Sequence, residues 1–178
     1  VKSSLLWGAA AAAVLLAAVA GFVLGRYYID NKKANFSKDY VLYVYPDMTP
    51  EQIADSLQAG AGTVRPKSVL RAFDKVDLKA NMKPGRYVVA PSSTSIYVAR
   101  MIAFGWQTPQ NMTLSGTLRN KGTIARKIGV QMMVDSAEVA DALNDKEFLS
   151  QYGFTPEDVF GMILPDTYEM YWTASVKD

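Results

Sequence analysis

The chain has neither cysteine nor histidine in its 178 residues. Those two absences exclude thiol nucleophiles, zinc sites of the Cys/His type, imidazole general bases and serine–histidine triads together. Any chemistry falls to carboxylates, hydroxyls or lysine, and no metal or other cofactor is expected. A chain without cysteine also escapes stray oxidation outside the cytoplasm. An excess of charge of either sign is lacking too. Apart from Lys2, the first 25 residues carry no charge, and the remaining 153 hold 18 basic against 17 acidic groups. Binding a nucleic-acid backbone needs a clustered basic face, so nucleic acid is not an expected partner.

What is present begins with a long apolar run. Leu5 to Gly25 is 21 residues without a charge, LLWGAAAAAVLLAAVAGFVLG. As a helix it would reach roughly 31 Å, enough to span a bilayer core. Ala18-Val19-Ala20 also fits the small-x-small site of a cleaved signal, but Phe22, Val23 and Leu24 carry the run past a usual signal core, which favours an uncleaved anchor over residues 5–25. Tyr27 and Tyr28 read as an interfacial aromatic pair, with Trp7 as counterpart near the other end. Lys2 stands on one side and Arg26, Lys32 and Lys33 on the other, so a bare Lys/Arg count would place the C-terminal part inside. Residues 26–39, rich in Asp, Asn, Lys and Ser, read as a hydrophilic stalk.

From Tyr40 the pattern becomes that of a folded α+β protein. Tyr40 to Tyr45 is β-branched and aromatic, ends at Pro46-Asp47, and reads as a strand. Thr49-Pro50-Glu51-Gln52 is the pattern of a capping box with proline at the first helical position, and Gly60 and Gly62 should stop the helix that follows. Pro66-Lys67-Ser68 opens a second helix, Arg86 to Ala90 reads as a strand after the Lys83-Pro84-Gly85 turn, and Ile96 to Phe104 reads as a third helix ending at Gly105. The periods place Leu42, Val44, Ile53, Leu57, Leu70, Phe73, Val88 and Ile102 inward. Beyond, Asn111 to Ser115 reads as a strand, with helices expected near 123–128, after Asp135 and around Phe148 to Tyr152. Thr155-Pro156-Glu157-Asp158 repeats the capped-proline pattern, with Glu157 as a helix-start acid. The chain stops six residues after Trp172, at what reads as another helix cap in Ser175 to Asp178. The sequence is therefore expected to be a fragment.

This order of motifs resembles the YceG-like endolytic murein transglycosylase (MltG) family. The resemblance rests on the anchor, on Met82-Lys83-Pro84-Gly85-Arg86-Tyr87 within a strand–helix–helix–strand–helix unit of LysM-like order, on Gly105 closing the third helix, and above all on Leu164-Pro165-Asp166-Thr167-Tyr168. It implies residues 1–4 as a short cytoplasmic N-terminus, 5–25 as the transmembrane helix, 26–39 as the stalk, 40–108 as a LysM-like domain and 109–178 as the truncated start of an α/β catalytic domain. It also implies a single-pass protein of the bacterial inner membrane with its C-terminal part periplasmic. Its partners would be peptidoglycan glycan strands and peptidoglycan synthases. The implied reaction cuts nascent strands between N-acetylmuramic acid and N-acetylglucosamine and leaves a 1,6-anhydro end. This sequence departs from the family pattern at two acids. The family's catalytic glutamate precedes the glycine that here is Gly161, and Phe160 stands in its place. Its second glutamate, in an apolar-Pro-Glu-Gly turn, corresponds here to Ser115 in Thr113-Leu114-Ser115-Gly116.

The reaction itself limits where an acid could have moved. An intramolecular transglycosylase needs one carboxylic acid to protonate the glycosidic oxygen, after which the carboxylate can take the proton of the sugar 6-hydroxyl. Glu169, between Tyr168 and Met170 and close to Tyr171 and Trp172, has the apolar sequence neighbours that would keep such an acid protonated. It is the expected catalytic residue, with Asp166, Thr167, Tyr168, Tyr171 and Trp172 as the expected substrate-binding residues. The alternative is a catalytically silent, membrane-anchored cell-wall binding or scaffold protein in which Glu169 is an outward-facing strand residue.

Overall fold

The computed structural model describes residues 2–116 and 118–178. It is a mixed α+β protein that divides into two compact units, Val1–Lys83 with Tyr87–Trp106, and Pro84–Arg86 with Gln107–Asp178.

The first unit opens with α1 (Lys2–Lys32), a single helix long and apolar enough to cross a membrane, whose side chains from Ala10 to Tyr28 are exposed. Strand β1 (Tyr40–Val44) follows, then α2 (Pro50–Ser56), which runs on as a π-helical turn over Leu57–Ala61. The capping box forms as the sequence indicates: the Gln52 backbone N–H donates to the Thr49 hydroxyl, and the Thr49 backbone N–H donates to the Gln52 side chain. Chain reversal comes at Gly62, at φ +65°, and not at Gly60. Gly60 stays inside the helical turn, where the missing Cβ leaves room for the Tyr40 ring to pack against it. Helices α3 (Pro66–Lys75) and α4 (Leu78–Asn81), strand β2 (Gly85–Val89) paired with β1, and α5 (Ser95–Ala103) complete the unit. Its core gathers Leu42 and Val44 of β1, Ile53 and Leu57, Phe73 of α3, Tyr87 and Val89 of β2, and Val98 and Ile102 of α5.

Two of the expected core residues lie outside. Leu70 is 43% exposed, because α3 buries Val69, Ala72 and Phe73, which recur at i, i+3 and i+4, and Leu70 sits one step off that stripe. Val88 is 36% exposed, because β2 turns Gly85, Tyr87 and Val89 inward and alternation sends Val88 out.

The expected stalk over residues 26–39 is also corrected. α1 continues to Lys32, and Asp30, Asn35 and Phe36 are buried. Their polarity marks specific partners. The Asn35 side chain accepts from the Arg65 backbone N–H (2.8 Å) and donates to the Arg65 carbonyl (3.1 Å) and the Ser95 hydroxyl (2.8 Å). With its oxygen and its nitrogen both bonded, the buried amide has the partners that burial requires.

The second unit pairs β3 (Gln110–Leu114) antiparallel with β4 (Asp166–Met170), Asn111 opposite Glu169 and Thr113 opposite Thr167. Between them run α6 (Lys121–Gly129), α7 (Ser136–Ala142) and α8 (Lys146–Ser150), capped by Asn120, Asp135 and Asp145. Ile124, Val139, Leu149 and Val159 form one buried cluster, and Met112, Leu114 and Met132 another. The capped-proline pattern at Thr155 does not start an α-helix; it makes a turn and a single 3₁₀ turn over Val159–Gly161. At Thr49 the glutamine reaches back while the threonine accepts. At Thr155 both the backbone N–H (2.5 Å) and the hydroxyl (3.0 Å) donate to the shorter Asp158 carboxylate, so both bonds run one way and the reciprocal exchange of a capping box is replaced. That backbone donor holds the Asp158 carboxyl below the usual carboxylate range.

Candidate functional site

The β3–β4 ribbon has two unlike faces, set by the alternation of its side chains. Met112, Leu114, Tyr168 and Met170 point to one side, where with Ile128, Met132, Leu143 and others they line an apolar cavity of about 270 Å³. Asn111, Thr113, Thr167 and Glu169 form the other side, and all four are exposed. The two threonine hydroxyls, 3.0 Å apart, hydrogen-bond across the strands.

The free edge of β3 on this side is closed by a side chain. Gln131 accepts from the Thr113 backbone N–H (2.9 Å) and donates to the Thr113 carbonyl (3.1 Å), the two bonds a neighbouring strand would make. It donates as well to the Lys127 carbonyl at 2.7 Å, which fixes it to α6.

Glu169 lines an open groove of about 620 Å³ together with Pro109, Met170, Tyr171, Thr173, Ala174 and Asp178. Its walls are held by hydrogen bonds, two of them between distant segments. The Gln107 amide and the Thr173 hydroxyl are paired at 3.0 and 3.2 Å, the Ala174 backbone N–H donates to the Tyr171 carbonyl (2.9 Å), and the Met133 backbone N–H donates to the Trp172 carbonyl (2.9 Å). Asp178 accepts from the Ser175 backbone N–H (2.8 Å) and hydroxyl (2.9 Å). The backbone bond, followed by the hydroxyl, holds the Asp178 carboxyl below the usual carboxylate range.

The expected site residues are thus only partly brought together. Glu169 and Tyr171 share the groove, and Thr167 lies on the Glu169 face two residues along β4. Asp166 is exposed and accepts from the Thr167 backbone N–H (2.7 Å) at the start of the strand. Tyr168 faces the apolar cavity and donates its hydroxyl to the Leu164 carbonyl (2.8 Å), bracing the turn at Pro165. Trp172, 4% exposed, is a core residue and offers no stacking face. The apolar surroundings expected for Glu169 are only partly there: neighbours in sequence alternate across a strand, so Tyr168 lies on the opposite face, and Glu169 is exposed in a groove of mixed lining, with Pro109, Met170, Tyr171 and Ala174 beside Thr173 and Asp178. Phe160, at the position where the family pattern has its glutamate, is exposed on the 3₁₀ turn.

Asp178 is the groove residue that sequence reasoning missed. The Ser175 to Asp178 spacing shows it as a local cap, and nothing in that spacing signals its place beside β4. Among the described residues no three acidic side chains gather as a metal site would require.

No family model matches the chain, and no curated protein does. Among solved structures, the crystal structure of a yceG-like protein from Listeria monocytogenes is similar to this chain, with a TM-score of 0.46 and 16% sequence identity over 79% of this chain and 51% of that one. The chain thus spans about half the length of the solved protein it resembles.

Proposed function

We propose that the chain is part of a membrane-anchored lytic transglycosylase of the bacterial cell wall, with α1 crossing the inner membrane and both folded units on its outer side. In this reading the first unit is LysM-like and the second begins the catalytic domain. The enzyme cleaves between N-acetylmuramic acid and N-acetylglucosamine and leaves a 1,6-anhydro end that terminates the strand.

The observation that carries the reading is the groove in which Glu169 stands with Tyr171 and Asp178. It is open enough for a sugar chain to lie along it, and it offers one carboxyl not engaged as a cap, a fixed anion and an exposed aromatic ring. Glu169 would give its proton to the leaving glycosidic oxygen and then accept the proton of the 6-hydroxyl as that oxygen closes on the anomeric carbon. Asp178, oriented by its two bonds from Ser175, would favour the positive charge that develops on the sugar ring. Tyr171 would pack against a sugar face, and Thr167 would extend the polar track along β4.

The second reading, a silent cell-wall binding protein, is favoured by the exposure of Glu169 and by Phe160. Incubating purified peptidoglycan with the protein and with its Glu169→Gln variant separates the two. Anhydro-muropeptides formed by the wild type and reduced about 10²- to 10⁴-fold in the variant are expected for general acid–base catalysis. Equal product from both removes Glu169 from the chemistry, and none from either moves the assignment to the binding protein.

A further inference from the structure

Helix α1 does not end where its apolar run ends. The uncharged run closes at Gly25, and the helix continues about two more turns to Lys32. In those turns Asp30 is buried and bound from α3. Arg71 donates to both of its oxygens (2.6 and 3.0 Å), and Ser68 donates its hydroxyl at 2.6 Å. The Ser68 hydroxyl is also 2.7 Å from that of Ser95 on α5, which accepts from Asn35. One buried polar network thus joins α1, α3 and α5 within the first unit, and no flexible stalk separates the apolar helix from the fold.

The network also sets a direction. One turn back along α1 from Asp30 is Tyr27, and one turn forward along α3 from Arg71 is Lys75, whose ammonium lies 5.2 Å from the Tyr27 ring centre. The two helices therefore run side by side in opposite directions, and the C-terminal end of α3 points back toward the apolar run. Tyr27 is two residues past Gly25, about 3 Å along the helix axis. That depth is within the headgroup layer, which occupies roughly 5–8 Å on each side of the hydrocarbon core. Arg26 is at the same level, its guanidinium carbon 4.0 Å from the Phe22 ring centre. Tyr27 and Lys75 are both exposed. Tyrosine rings are enriched at the membrane interface, and a lysine stem that reaches over the ring keeps its ammonium at the same polar level.

We propose that the first unit rests on the phospholipid headgroup layer, with Arg26, Tyr27 and Lys75 as its contact, held there by the Asp30–Arg71 clamp and unable to swing. The proposal rests on the reading that α1 spans a membrane. Asp74 and Asp77 flank Lys75 and keep the local charge low. The contact is therefore a matter of depth and does not depend on attraction to anionic lipid, so phosphatidylcholine should serve as well as phosphatidylglycerol.

The chain has no cysteine, so a single introduced one takes a nitroxide label without background. Asp74→Cys places the label beside Lys75. Val64→Cys is the reference, exposed and tied by its backbone N–H to the Asn35 carbonyl, beyond the far end of α1. The full chain is inserted into phosphatidylcholine vesicles, with and without phosphatidylglycerol, that carry a nickel-chelating headgroup. Relaxation of the label should be enhanced several-fold more at position 74 than at 64, equally in both lipids. Adding Asp30→Asn should lower the value at 74 toward that at 64, and Ser68→Ala provides a milder break of the network if that variant loses its circular dichroism. Equal enhancement at both positions in a chain that resists carbonate extraction overturns the inference alone. Enhancement at 74 that survives both clamp variants overturns the clamp. Release by carbonate overturns the membrane reading and the inference with it.

Discussion

Arg71 grips Asp30 with two nitrogens of its guanidinium, Nη2 on one carboxylate oxygen at 2.6 Å and Nε on the other at 3.0 Å. The pair fastens α3 to the end of α1, and the Arg71 side chain remains about one-third exposed while that of Asp30 is nearly covered. Arg71→Ala should destabilise the first unit by about 2 kcal/mol, the range for a charged hydrogen bond with part of its screening by water retained. Chemical denaturation of the detergent-solubilised chain measures it. In a double-mutant cycle with Asp30→Asn the two losses should fall short of additive. Full additivity would mean that the pair contributes nothing of its own.

The inward faces of the π-helical turn after α2 and of α3 predict opposite outcomes for two leucines. Leu57 is fully buried and Leu70 is not. Leu57→Ala should cost about 2–5 kcal/mol and Leu70→Ala less than about 1 kcal/mol. Comparable losses in urea titration would mean that α3 packs on a different face.

Tyr87 gives the first unit an alkaline limit. Its ring is fully buried, its hydroxyl donates to the Lys83 carbonyl at 2.8 Å, and burial pushes its pKa from 10.0 up to about 12. Because the folded value is the higher, the contribution to stability is complete below pH 10, where the phenol is protonated in both states. It is lost as pH rises through about 12. Melting temperatures of the wild type should fall across that window. Tyr87→Phe should start lower, by about 1 kcal/mol for the missing hydrogen bond, and decline less steeply. Parallel curves would show that other groups govern the alkaline loss.

The Gln131 clip on β3 predicts a local effect. Gln131→Ala should expose the Thr113 amide and speed its hydrogen exchange, while amides in the core of α5 keep their rates. The global cost should be about 1 kcal/mol, since both bonds are at the surface. An unchanged Thr113 rate would show that the strand edge is held by something other than this side chain.

Caps and helices were legible in the sequence because the bonds that make them lie within four residues. Thr49 with Gln52, and Asp135 with Ala137, can be seen without any knowledge of the fold. Thr155 shows the limit even there. Thr155-Pro156-Glu157 carries an aspartate where the first pattern has glutamine, and there both threonine donors go to its carboxylate within a turn. The apolar helix was legible too, since 21 residues without a charge need no partner to be recognised.

Tertiary structure decided what alternation and polarity leave open. In Arg86-Tyr87-Val88-Val89 both faces of the strand carry residues fit for a core, so period 2 cannot say whether Tyr87 or Val88 turns inward; packing against β1 does. Asp30 and Asn35 read as solvated because polarity is a property of a residue. Burial depends on whether a partner is waiting, and theirs, Arg71, Arg65 and Ser95, stand 30 to 60 residues away. The groove repeats the lesson. Glu169 was singled out for neighbours in sequence that strand geometry partly sends to the other face. The anion that shares its groove, Asp178, is there because the chain folds back beside β4 after Trp172. The sequence determined which residues can carry charge and which runs can cross a lipid bilayer. Which carboxylate meets water, a guanidinium or another carboxylate was decided only by contacts between distant segments, because hydrogen bonds and desolvation act over a few ångströms in space whatever the separation along the chain.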